Sequence, residues 1–344
     1  MQKIEISKNL TVSPNSTIKE VMTKLSESNF RFQLVVQNKN LLGTVVDGDI
    51  RRAILKGQSI NKGISLCMNK KPIVGKENNE NKFKALIESI PSEIRFLPVL
   101  NKAKKLVYVI VNKKNISNTY YLIMAGGYGK RLGEKTKKTP KPLLEIKNKP
   151  ILEHILKKVE AADYKKIYLS THYLHHKIEN YIRKRKNKTP IELLKEKKPM
   201  GTAGSIYFLK KREFDNLIVV NGDIITDVDL DALKAYHNAS DNDITITVTN
   251  YTYNVPFGLV KFDKNLSFIS LEEKPDISNF ILSGIYCLNK EVCNLIKNES
   301  IDMTDVIQQA HLLKRKIGIF PISEYWKDIG NLKDFKAEII RNNK

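Results

Sequence analysis

The chain has 344 residues, 41% of them apolar, and its 59 Lys and Arg against 37 Asp and Glu give a formal charge of +22. Such a length points to two domains. No run approaches the ~20 apolar residues that cross a bilayer, and the opening MQKIEISKNLTVSP lacks a secretory core, so neither a membrane partner nor export is expected and the cytoplasm is the expected address. The basic excess also fails to mark a nucleic-acid binder. Residues 1–118 carry 21 Lys and Arg against 9 Asp and Glu, and residues 119–344 carry 38 against 28. A charge spread this evenly, with Asn abundant beside it, reads as a general compositional bias that draws in phosphorylated small molecules.

In chain order, the first segment is extended at Leu10–Val12. Ser16 then stands as N-cap for an amphipathic helix running to about Ser28. Strands come next at Phe32–Val36 and Leu41–Val46 around a polar turn at Asn38–Asn40, and a short helix at Ile50–Leu55 ends the unit. The order recurs from about Asn61: extended Pro72–Val74, a helix near Asn81–Ile90, and strands at Arg95–Leu100 and Leu106–Val111. Neither half would bury its sheet alone, so the repeat implies one pseudo-symmetric module. A polar seam at residues 112–120 separates this module from the longer C-terminal part, dividing the chain into domains 1–116 and 117–344.

This module resembles the cystathionine-β-synthase (CBS) domain pair, most specifically at Gly43-Thr-Val-Val-Asp47-Gly-Asp49-Ile-Arg51. The resemblance implies a regulatory purine nucleotide held by Thr44, Asp47 and Asp49, and self-association of the chain into a homo-oligomer. Leu106–Asn112 in the second repeat has neither the Thr nor the Asp, so at most one functional nucleotide site is expected. Association without ligand sensing remains an alternative, with Asp47 and Asp49 serving only to cap the helix at Ile50. Cys67, Cys287 and Cys293 have no metal-ligand spacing and read as buried thiols.

Beyond the seam, strand and helix alternate. Apolar runs at Tyr121–Ala125, Lys166–Ser170, Leu217–Asn221 and Ile244–Thr249 read as buried strands. Helices fit Pro150–Ala162, Leu174–Lys186, Gly201–Lys211 and Leu230–Asn238. This predicts an α/β fold with a mainly parallel sheet, binding ligands beyond the strands' carboxyl ends. The first strand runs into Ala125-Gly126-Gly127-Tyr-Gly129-Lys130-Arg131-Leu132. Glycines let backbone amides approach a polyphosphate, and Arg131 adds a bidentate charge. A P-loop would need Ser or Thr after Lys130, and a dinucleotide fingerprint would need Gly at Leu132. In Thr139-Pro140-Lys141-Pro142-Leu143 a lysine is fixed between two prolines. His172, His175 and His176 read as a strand-to-helix turn and a helix face, without a metal.

The pattern Gly-Gly-x-Gly-x-Arg-Leu, then Pro-Lys-Pro, resembles the sugar nucleotidyltransferase family, and the likeness runs from about Tyr120 to the C-terminus. It implies a Rossmann-like, GT-A-like domain preceded by an α+β CBS pair. It also implies transfer of a nucleoside monophosphate from a nucleoside triphosphate to a sugar 1-phosphate. On this resemblance Ala125, Gly126, Gly127, Gly129, Glu196, Gly201 and Thr202 bind the nucleotide. Gly258, Glu273, Lys274 and Gly284 bind the sugar phosphate. Arg131, Lys141, Asp223 and Asp328 are catalytic, and Asp223 and Asp328 hold Mg²⁺. A phosphate monoester is already ionised near neutrality, so catalysis of this kind rests on positioning and electrostatics rather than on a strong base. The segments Glu196–Gly204 and Tyr325–Gly330 look more like guanylyltransferases than thymidylyl- or uridylyltransferases, which implies GTP. With the CBS pair in front, the whole resembles glucosamine-1-phosphate guanylyltransferases of legionaminic acid synthesis. Mannose or heptose 1-phosphate, or a purely nucleotide-sensing role, stand as alternatives.

Overall fold

In the computed structural model the chain is described throughout except at residues 29, 91–94, 112–117, 188 and 342–344. The expected domain boundary, between residues 116 and 117, lies outside the described residues. Helix Ile18–Glu27 starts one residue later than expected. Thr17, not Ser16, is the N-cap, because a capping box needs a carboxylate three residues on. Glu20 supplies it: Glu20 N donates to Thr17 Oγ1 at 3.2 Å and Thr17 N donates to Glu20 Oε2 at 2.9 Å. The second helix, Asp47–Leu55, begins three residues before Ile50, since the Asp49 carboxylate accepts the Val46 N–H at 3.0 Å and closes the first turn early.

The internal repeat is visible in the pairing. Thr11–Val12 runs parallel to Phe32–Gln37, which pairs antiparallel with Asn40–Val46. Gly75–Lys76, rather than the expected Pro72–Val74, runs parallel to Phe96–Leu100, which pairs antiparallel with Leu106–Val111. Both ribbons shift register at equivalent points, Val35/Val36 and Val99/Leu100. Phe32 and Phe96, the first residues of equivalent strands, stack with centroids 3.9 Å apart. Val109 stands where the first repeat has Thr44. The expected second helix is a short 3₁₀ turn, Glu80–Lys82, leading into Phe83–Glu88.

The larger unit is built on a seven-stranded sheet. Ile191–Lys195, Lys166–Thr171, Thr119–Met124 and Asn216–Asn221 lie side by side and parallel. Asp276–Asn289 joins them antiparallel, with Ile244–Asn254 and Ile317–Ile322 beyond it. Successive residues face opposite sides, so Tyr121 and Ile123 pack under helix Ile151–Ala161, while Tyr120 and Leu122 meet Ile206, Leu209 and Phe214. Each fully buried Leu or Ile contributes about 2 kcal/mol, so the two cores hold the strand ends firmly in place. The predicted helix over Gly201–Lys211 is instead a 3₁₀ stretch, Gly204–Leu209, because Gly201 and Thr202 are drawn into a turn against Ile301 and Asp302. Among the described residues the cysteines form no disulfide, and no helix is long and apolar enough to cross a membrane.

Candidate active site

Three parallel strands end at Met124, Lys195 and Asn221, and the loops that follow them wall a cavity of about 250 Å³. Ala125, Gly126 and Gly127 come from the first strand's loop, Glu196, Gly201 and Thr202 from the segment after Ile191–Lys195, and Asp223 from the third strand's turn. Lys141 reaches in from the side. Of the residues expected to bind nucleotide, only Gly129 does not line this space. At φ +66° it lies beneath the loop, where a Cβ would come within 3.1 Å of the Lys141 Cβ. Its role is to let the proline-flanked segment pack close and aim the lysine.

Lys141 is largely buried, and its Nζ lies 2.5 Å from Asp223 Oδ2. Residues 224–226 pair antiparallel with Trp326–Asp328, placing Asp328 opposite Ile224, and Ile329 N donates to Asp223 O at 3.0 Å. The two carboxylates expected to act together are therefore brought together, although 105 positions separate them in the sequence. Burial, and then the neighbouring Asp223 carboxylate, push the Asp328 carboxyl above its usual range, while Lys141 and Arg131 pull it back. Its Oδ1 is buried with no hydrogen-bond partner among the described residues. An orphaned carboxylate oxygen beside a second carboxylate is a donor set suited to a hard divalent cation that completes its shell with water and phosphate oxygens. Asp328 ends the short strand Trp326–Asp328. Arg131 sits exposed in the short turn Lys130–Leu132, with no ion pair among the described residues and close enough to Asp328 to influence it.

Glu196 lines the cavity with its carboxylate already engaged. Ser170 Oγ and Met200 N both donate to its carboxylate, one to each oxygen, and brace it at the cavity wall. Thr202 is tied to Asp302, which accepts from its N at 2.9 Å and its Oγ1 at 3.1 Å. No sequence motif marks Asp302 as part of the site. Its capping pattern with Asp305 is local and legible, but its contact with Thr202 is not.

The sugar-side residues divide. Gly284, at φ +78°, sits against Asn221, where a Cβ would come within 2.7 Å of the Asn221 side chain, and Trp326 Nε1 donates to the adjacent Ser283 O at 2.7 Å. Gly258, Glu273 and Lys274 do not reach the cavity. They cluster at the far end of a ribbon made because the strand from Ile244 runs to Asn254, beyond the expected Thr249, pairing with Asp276–Leu282. Lys274 is 65% exposed there.

Thr44, Asp47 and Asp49 line a second cavity of about 450 Å³, closed on its other side by Ala232, Tyr236 and Ser240 of helix Leu230–Ala239 and its C-cap. Both acidic side chains already have partners. Asp47 binds Arg51, and Asp49 caps its helix while pairing with Arg52. Burial raises both carboxyls above their usual range, against the pull of Arg51 on Asp47 and of Val46 N–H on Asp49.

The nucleotidyl transferase family model matches residues 120–341, and the CBS domain model matches residues 3–56. The mannose-1-phosphate guanylyltransferase catalytic subunit beta of Drosophila melanogaster is 31% identical over 226 residues, 64% of this chain and 61% of that protein. The bifunctional protein GlmU of Methanocaldococcus jannaschii is 34% identical over 218 residues, 61% of this chain and 50% of that protein. The chain thus spans between half and about three-fifths of these curated relatives. The crystal structure of HddC from Yersinia pseudotuberculosis superposes with a TM-score of 0.51 at 25% identity, covering 65% of this chain and 99% of that one; the same protein complexed with GMP-PN gives 0.50.

Proposed function

The chain belongs to the nucleotidyl transferase family, and from that premise we propose that it is a sugar-1-phosphate guanylyltransferase acting at the Lys141–Asp223–Asp328 site. The observation that carries the reading is the Lys141–Asp223 ion pair at the mouth of a glycine-walled, strand-end cavity, with an unpartnered Asp328 oxygen alongside. The loop at Gly126 and Gly127 would receive the triphosphate, with Arg131 and Lys141 drawing charge towards the departing pyrophosphate. Asp223 and Asp328 would hold a magnesium ion, which supplies charge neutralisation at the α-phosphate. Lys274 would meet the sugar phosphate, which requires the ribbon carrying it to bend over the cavity.

GTP is favoured by the guanylyltransferase among its relatives and by the GMP-PN complex of HddC. Glucosamine 1-phosphate, in a nonulosonic acid pathway such as that to legionaminic acid, is the sugar suggested by the N-terminal module. Mannose 1-phosphate is supported equally by the relatives. Pyrophosphate release from each nucleoside triphosphate, paired with glucosamine, N-acetylglucosamine, mannose and heptose 1-phosphates, tests both choices. The expected best pair is GTP with glucosamine 1-phosphate; preference for UTP or dTTP would overturn the guanylyl assignment. The cavity at Thr44 is the proposed regulatory site, tested by calorimetry of the whole chain with purine nucleotides.

A further inference from the structure

Arg51 belongs to the N-terminal module, yet it is 0% exposed and buried against the larger domain. Its Nε and Nη2 donate to the two oxygens of Asp47 at 2.6 and 3.1 Å. Nη1 donates to the carbonyl of Pro321 and, at 3.3 Å, to Glu324, which also accepts from Nη2 at 2.8 Å. Every N–H of the planar guanidinium therefore has an acceptor, and the group lies 3.8 Å above the centroid of the Phe320 ring. Such a fork fixes direction as well as distance, which a lysine at this position would not do.

What it grips matters most. Glu324 opens the segment that ends at Asp328. Tyr325 O accepts from Asp227 N and Thr226 Oγ1, Trp326 reaches Ser283, and the chain then pairs through three residues with the strand just after Asp223. A ribbon this short is marginal on its own, and it must hold two like-charged carboxylates side by side. A displacement of only ~1 Å at such a centre costs on the order of 100-fold in rate.

We infer that Arg51 is a positioning residue: by clamping Pro321 and Glu324, the N-terminal module holds Trp326–Asp328 in register with Asp223. The inference rests on the proposed role of that carboxylate pair. A rival account, in which Arg51 merely glues the domains together, is separable. Arg31 also crosses between them, to Asp229 and Asp231, without touching the 321–328 segment.

The test uses the full chain carrying Arg51→Met, Arg51→Lys, Glu324→Gln or Arg31→Ala. Folding is monitored by circular dichroism. Mn²⁺ affinity is measured by electron paramagnetic resonance with a non-hydrolysable GTP analogue bound, and kcat and KM are measured alongside. In Arg51→Met and Glu324→Gln, Mn²⁺ affinity and kcat should each fall at least about 10-fold, with KM for the nucleotide little changed; Arg51→Lys should recover part of the loss. Arg31→Ala should match the parent in both. Parental Mn²⁺ affinity and kcat in Glu324→Gln, or an equal loss in Arg31→Ala, would overturn the inference; Glu324→Gln decides if Arg51→Met does not fold. A parent that binds Mn²⁺ but releases no pyrophosphate would refute the proposed function, while the Mn²⁺ readings would still decide the role of Arg51.

Discussion

Asp223 and Asp328 look alike in sequence, but the fold gives them different surroundings. Asp223 is neutralised by Lys141, whereas Asp328 keeps a buried oxygen without a protein partner among the described residues. Replacing either by Ala removes half of a paired acceptor and should lower pyrophosphate release by at least about 10²–10³-fold with an unchanged circular dichroism spectrum. Near-parental turnover in either variant would defeat the metal assignment. His237 makes a different prediction. It is buried, its Nδ1 lies 2.9 Å from Thr245 Oγ1, and burial pushes it down to about 4 against the opposing pull of Asp243 and Asp241. The folded state therefore resists protonation that the unfolded chain accepts below ~6.5. Stability from this group is full above that pH and is lost as pH falls towards about 4, by up to about 3 kcal/mol. Urea midpoints across this window should fall more steeply for the parent than for His237→Gln; equal slopes would absolve the ring.

The proposed function places its sharpest demand on the ribbon formed by Ile244–Asn254 and Asp276–Asn289. Beyond Thr249 and Leu282 it leaves the sheet, and together with the hairpin Leu259–Phe262 and Phe268–Glu272 it exposes Phe257, Phe262, Phe268 and Leu271. An apolar surface of this kind calls for a covered state, and the register break between Ile246 and Val248, opposite Gly284, is a natural bending point. With nucleotide and sugar phosphate both bound, hydrogen exchange over residues 254–276 should slow markedly. Unchanged exchange would leave Lys274 outside the reaction.

Across the whole molecule, a charge of +22 spread over both domains creates a field that draws in polyanions. Raising salt from about 0.05 to about 0.5 M shortens the Debye length to a few ångströms, so kcat/KM should drop several-fold while kcat holds. A flat response would mean that attraction is confined to the Lys141 and Arg131 charges. The two domains meet through Arg31, through Arg51 and around the 450 Å³ cavity. Asp47 lines that cavity and also binds Arg51, so one short chain of contacts leads from the cavity to Asp328.

Four strands of the central sheet, the glycine loop, the Pro-Lys-Pro segment and the repeat in the first module were legible, because local periodicity, glycine and proline chemistry act within a few residues, whereas the strands Ile191–Lys195, Asp276–Asn289 and Ile317–Ile322 were not foreseen. Boundaries moved where a side chain three residues away decided them, as at Thr17 and Asp49. The contacts of Glu196, Thr202 and Arg51 were hidden, since their partners Ser170, Asp302 and Glu324 lie 26, 100 and 273 residues distant. So was the ribbon that carries Lys274 away from the cavity. Contacts like these depend on how packed elements meet in space, a property that no stretch of neighbouring residues encodes.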